Sequence, residues 1–96
     1  MPPLDHRQIS LGLKRVPLWS QRAQTIRRTF VFDGFLGSVD FVNRVARMAE
    51  KVDHHPDINI RWNKVTLALT THSQGGLTKK DFALARHCDE TFERNF

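Results

Sequence analysis

The sequence is poor in the residues that build covalent or metal-bound frameworks. Cys88 is its only cysteine among 96 residues, so no intramolecular disulfide can form and a CxxC-type metal framework is excluded. Its place in the last helical stretch marks Cys88 as a small buried apolar residue rather than a reactive thiol. No run approaches the roughly 18 uninterrupted apolar residues of a membrane span. The amino terminus also lacks the charged-then-apolar layout of a secretory signal, so a cytoplasmic protein with no membrane partner is expected. No repeat, low-complexity segment or linker divides the chain, and a sequence this short supports one core, which makes residues 1–96 a single expected domain. Basic charge is present but not gathered: the net charge is +5, and the cations are scattered. The densest pair in the first half, Arg27-Arg28, would point to opposite faces of a strand. This pattern implies a general attraction to anions and argues against a dedicated nucleic-acid site.

What is present is a clear sequence of periodicities. Asp5 with Gln8 forms a possible cap for a short helix with Ile9, Leu11 and Leu13 on its apolar side, weakened by Gly12 and broken by Pro17. Leu18-Trp19 starts a short strand. From Thr25 to Phe32 the residues alternate, with Ile26, Phe30 and Phe32 on one side and Arg28 as the exception there. Asp33-Gly34 signals a turn, and after Gly37-Ser38 the apolar residues Val39, Val42, Val45, Ala46, Ala49 and Val52 recur at helical spacing. Pro56 disfavours helical geometry in the residue before it, so this helix should end near Asp53 or His54. Ile58, Ile60 and Trp62 alternate in one phase and Val65, Leu67 and Leu69 in the other, which predicts one long strand with a bulge near Asn63-Lys64. After the Gly75-Gly76 loop, Thr78 and Asp81 cap a final helix that turns Leu84, Ala85, Cys88 and Phe92 inward, with Leu77 beside them. The expected class is α+β, an antiparallel sheet with helices on one face in the order α-β-β-α-β-α.

The chemistry concentrates in Asp53-His54-His55-Pro56 and in His72. Histidine is the side chain whose ordinary titration lies near neutrality, so converging imidazoles supply both proton donors and acceptors at working pH. Adjacent histidines rarely present both rings to one metal, and no cysteine or spaced carboxylate completes a tetrahedral set, so no metal is expected. Glu50 lies one helical turn before His54, placed either to orient that ring or to be a surface charge. Trp62 is a core, interface or ligand-contact residue, and Asp81 reads as a cap.

Taken together, Glu50, His54-His55-Pro56, Trp62, His72 and Asp81 form a spaced pattern that resembles the signature of the pterin-4a-carbinolamine dehydratases. Further similar pieces are Phe41-Val42-Asn43-Arg44-Val45-Ala46, Trp62-Asn63-Lys64-Val65 and Gly75-Gly76-Leu77-Thr78, and the likeness spans residues 18 to 90. The resemblance implies the same α+β fold, a pterin substrate, and dehydration of a 4a-hydroxytetrahydropterin to the quinonoid dihydropterin without a cofactor. It implies His54, His55 and His72 as the catalytic set; the expected division gives the acid and base work to His54 and His72 in either order, with His55 orienting the pterin or sharing a proton. Glu50, Pro56, Asp57, Trp62 and Thr71 are the implied substrate-binding residues. It also implies a homodimer or homotetramer. The alternative is a non-catalytic protein-binding module on the same fold, a transcription cofactor or an assembly chaperone.

Overall fold

In the computed structural model, which describes residues 2–96, Asp5 opens helix α1 (His6–Arg15) through a reciprocal cap. Its carboxylate accepts from the Gln8 backbone N–H, and the Gln8 side chain accepts from the Asp5 N–H, each at 2.9 Å. Gly12, which weakens the helix as a propensity, is where α1 meets a later element. A Cβ at Gly12 would stand 2.9 Å from the ring of Phe82. The glycine therefore permits a close helix–helix approach that alanine would obstruct.

Strands β1 (Ser20–Arg22), β2 (Thr25–Val31), β3 (Asp57–Arg61) and β4 (Lys64–Leu69) form one antiparallel sheet in the order β1-β2-β4-β3. Helix α2 (Phe35–Val52) precedes β3, and helix α3 (Lys79–Asn95) closes the chain. The α+β class is as the periodicity predicts, with one correction to the element order. The single long strand is two strands joined by a tight hairpin at Trp62-Asn63, so the order is α-β-β-α-β-β-α. The phase reversal between Ile60 and Val65 marks a fold-back rather than a bulge. Ile60 pairs directly with Val65 and Ile58 with Leu67, placing both apolar sets on the same face. Trp62 makes the turn with φ of 51°, a left-handed conformation unusual for a bulky side chain.

Helix α2 also begins earlier than its periodicity indicates, because Phe35 and Leu36 in its first turn are exposed and add nothing to the buried stripe. That stripe runs through Ser38, Phe41, Val45 and Ala49. It is rotated from the expected one: Phe41 anchors it, whereas Ala46 and Val52 face outward. The core joins Ile26 and Phe30 of β2, Val65, Leu67 and Leu69 of β4, and Phe41, Leu84 and Cys88 of the helices. Phe30 sits 4.6 Å from Phe41 and 5.2 Å from Phe92, centroid to centroid. Such tilted rings contribute roughly 0.5–1.5 kcal/mol per pair beyond burial.

Arg28, the charge on the apolar side of β2, is accommodated by Asp89 of α3. Its guanidinium donates to the carboxylate at 2.6 Å and lies 4.1 Å over the Phe30 ring. The same Asp89 oxygen accepts from the Trp19 indole at 2.8 Å. Two donors from separate parts of the chain thus converge on one carboxylate, at side-chain exposures of only 11% and 15% for Arg28 and Asp89.

Removing that carboxylate strands a buried cation, so Asp89→Ala is expected to lower the unfolding free energy by roughly 3 kcal/mol. Urea denaturation checks this; a loss below about 1 kcal/mol would mean that water screens the pair as it does at a surface. Cys88, fully buried beside this cluster, gives a second test. Burial first, and the negative charge of Asp89 second, push its thiol up to about 12 against a partial opposing pull from Arg28. A disulfide dye at pH 8 should leave the native thiol untouched and react fully in urea. Because the thiol titrates higher folded than unfolded, its contribution to stability is intact below the ordinary value of 9.0 and is lost as pH climbs toward about 12.

Candidate active site

The end of α2 determines where His54 lies. Asp53 takes a left-handed conformation (φ 52°, ψ 45°), its N–H bonds back to the Glu50 carbonyl, and the His54 N–H bonds to the Ala49 carbonyl at 3.1 Å. This pair of bonds terminates the helix and fixes the backbone of His54 against its last turn. Pro56 then forces the extended path into β3.

His54 is buried, and its Nε2 lies 2.6 Å from Oδ1 of Asp81, a fully buried carboxylate. The other oxygen of Asp81 accepts from the Thr71 hydroxyl at 2.8 Å and from the Thr78 backbone N–H at 2.9 Å. With the Thr71 proton used there, the Thr78 hydroxyl donates to Thr71 at 2.8 Å. No buried side-chain nitrogen or oxygen among the described residues lacks a partner. A carboxylate held at both oxygens cannot rotate to follow a mobile ring, so the ring must conform to it.

His55 points the other way, into solvent, where its Nε2 pairs with the Glu50 carboxylate. Glu50 thus orients His55 and not His54, which corrects the expectation from helical spacing. The physical reason is the left-handed residue at Asp53, which takes the chain off the helical path before the histidines are reached. His72 begins a single exposed 3-10 turn, His72–Gln74, closed by Gly75 at φ 73°.

Among the described residues, no hydrogen bond joins the His72 ring to either of the other two rings. His54 lines a hollow of about 450 Å³ between α2 and α3, together with Met48, Leu84 and His87. His72 lines another of about 350 Å³ with Thr70 and Gly76. What connects the two histidines is Asp81: one oxygen holds His54, and the other holds the hydroxyl of the residue just before His72.

The remaining expected contacts divide. Thr71 is inside the network, and half-buried Pro56 adjoins it in sequence through His55. Asp57 starts β3 and lines a shallow hollow on the open face of the sheet with Arg27 and Arg61. Trp62, 68% exposed, is at the opposite end of β3. Five residues of strand separate it from Pro56, roughly 17 Å of rise, so it does not join the histidines within one chain. Local spacing marks Asp81 only as a cap. It is a cap, and it is also the partner of His54, a double role that no local spacing signals.

Comparison with known proteins bears on this arrangement. Residues 2–91 match the family model described as pterin 4 alpha carbinolamine dehydratase. A protein of Mycobacteroides abscessus with a provisional pterin-4-alpha-carbinolamine dehydratase name is 48% identical over 94 residues, covering 98% of this chain and all of the relative. A similarly named protein of Chloroflexus aurantiacus is 51% identical over 90 residues, 94% of this chain and 97% of the relative. Among solved structures, a transcriptional coactivator/pterin dehydratase from Brucella melitensis superposes with a TM-score of 0.89 at 31% identity, covering 92% of this chain and 96% of that one. A pterin dehydratase-like RuBisCO assembly factor of the alpha-carboxysome shares the fold at a TM-score of 0.62 and 20% identity, covering 75% of this chain and 83% of its own.

Asp81→Asn tests the network itself. An amide presents one acceptor and one donor where three donors converge, so about 2 kcal/mol of stability should be lost in urea denaturation. An unchanged midpoint would mean that the three bonds contribute nothing net.

Proposed function

Because the chain belongs to the pterin 4 alpha carbinolamine dehydratase family, we propose that it removes water from a 4a-hydroxytetrahydropterin to give the quinonoid dihydropterin. The reaction breaks the C4a–O bond, removes the N5 proton and forms C4a=N5. One proton goes onto the departing hydroxyl and one leaves N5, so no electron is gained or lost and the protein's task is proton handling.

The observation that carries the assignment of roles is the bond from His54 Nε2 to the buried Asp81 carboxylate. A carboxylate accepts, so Nε2 carries the hydrogen, and in the neutral ring Nδ1 keeps its lone pair. That supports His54 as the base for the N5 proton, with Asp81 as its positioning residue. His72, mounted on the turn that follows Thr71, is the acid toward the 4a-hydroxyl. His55, steered by Glu50, orients the pterin from the solvent side. The pterin spans the His54-His55 corner and the Thr71-His72 turn, the two segments that Asp81 fastens together.

A binding role is the competing reading, since the Brucella protein's name joins coactivator with dehydratase. The complete histidine set, one member of it held on a buried carboxylate, favours catalysis.

The decisive assay follows quinonoid dihydropterin formation from 4a-hydroxytetrahydropterin generated in place, with the spontaneous rate subtracted. His54→Ala and His72→Ala should each remove about 10²–10⁴-fold of the acceleration, normalised to folded protein by circular dichroism. Near-normal rates in both variants would overturn the acid and base roles of these histidines, and a wild type that adds nothing to background would overturn the activity.

A further inference from the structure

Another concave region lies between α1 and α3, on elements that carry none of the three histidines. It is a groove of about 520 Å³, within the range of volumes that hold small organic ligands. Leu4, Leu11, Phe82 and Ala83 line it with apolar surface. Gly12, which lets α1 approach the Phe82 ring, lies on its wall. Leu11 is 54% exposed there, although it lies on a helix with Ile9 and Leu13 turned toward the core.

The charged lining is of one sign, with Gln8 as its neutral polar member. Arg15 from the last turn of α1, Lys79 from the first turn of α3 and Arg86 further along α3 all border the groove, and no carboxylate does. None of the three forms an ion pair among the described residues, whereas Arg28 and Arg44 do. Three cations without an ion-pair partner make the border of this apolar groove positive. A neutral apolar ligand would leave them without a counter-ion, and a cation would be disfavoured there. A ligand with an apolar body and an anionic head supplies the counter-charge while covering the leucine and phenylalanine surface.

We propose that this groove is a binding site for a small anionic amphiphile, an alkyl or aryl carboxylate, separate from the histidine site.

The test compares three probes of one chain length, decanoate, decanol and decyltrimethylammonium, each below its micelle concentration. Calorimetry and backbone amide shifts would follow binding to the full chain. Decanoate should bind with shifts confined to α1 and the first half of α3, and the other two should not. Combining Arg15→Glu, Lys79→Glu and Arg86→Glu, or introducing Leu11→Glu alone, should weaken decanoate binding by roughly tenfold or more. An equal charge reversal at Arg7, Lys14 and Arg94, which lie outside the groove lining, should change it little. Equal binding of all three probes, shifts centred on His54, or equal loss in the control variant would overturn the proposal. Tighter binding of an acidic Leu/Glu amphipathic peptide with the same shifts would assign the groove to a protein partner and overturn it as well.

Discussion

The site depends on one buried carboxylate. Asp81 has no exposed surface, and an ionised group placed there is tolerable only because both oxygens are occupied. Each bond ties a different part of the chain to the start of α3: His54 from the exit of α2, Thr71 from the segment after β4, and Thr78 from the cap itself. The interaction that begins a helix is therefore also the one that holds His54 and the segment leading to His72. Local and long-range requirements meet in one side chain, so neither can be changed alone.

A second carboxylate has a comparable role toward the other end of α3. Asp89 accepts from Arg28 and from Trp19, binding β2 and the chain just ahead of β1 to the helix. Between the two lie Leu84, Ala85 and Cys88, packed on the sheet without a polar atom to satisfy beyond the thiol. Helix α3 is thus held by polar contacts at two levels and by close packing between them. This arrangement fixes its rotation about its own axis, and that rotation aims Asp81 at His54.

Much of this is readable from residues. Both reciprocal caps follow from local spacing, as does the end of α2 before Pro56, because a cap or a proline acts within one turn of chain. The final helix is legible from Leu84, Ala85 and Cys88. The departures share a cause: periodicity records which residues are apolar, not where the chain turns. It cannot distinguish a bulge from a hairpin at Trp62-Asn63, where no glycine announces the turn. It weights Val39 and Ala46 above Phe41, although the larger ring determines which way α2 rolls. The pairing of Glu50 with His55 is hidden for a similar reason, since helical spacing is a valid guide only until Asp53 leaves the helix. The His54–Asp81 bond joins residues 27 positions apart, and no local rule reaches that far.

The backbone bond from the Leu4 N–H to the Leu77 carbonyl, at 2.7 Å, couples the segment ahead of α1 to the segment ahead of α3, far along the chain. The central pairing of the sheet is of the same kind, because β2 must wait for β4. A growing chain that has reached Pro56 owns two helices' worth of sequence and a lone β1–β2 ribbon, with Ile26 and Phe30 not yet covered by β4 and α3. A two-stranded ribbon is at best marginally stable by itself. Assembly therefore waits until β4 and α3 are available rather than depositing structure progressively behind the ribosome, and a product terminated before them is material for chaperones and proteases.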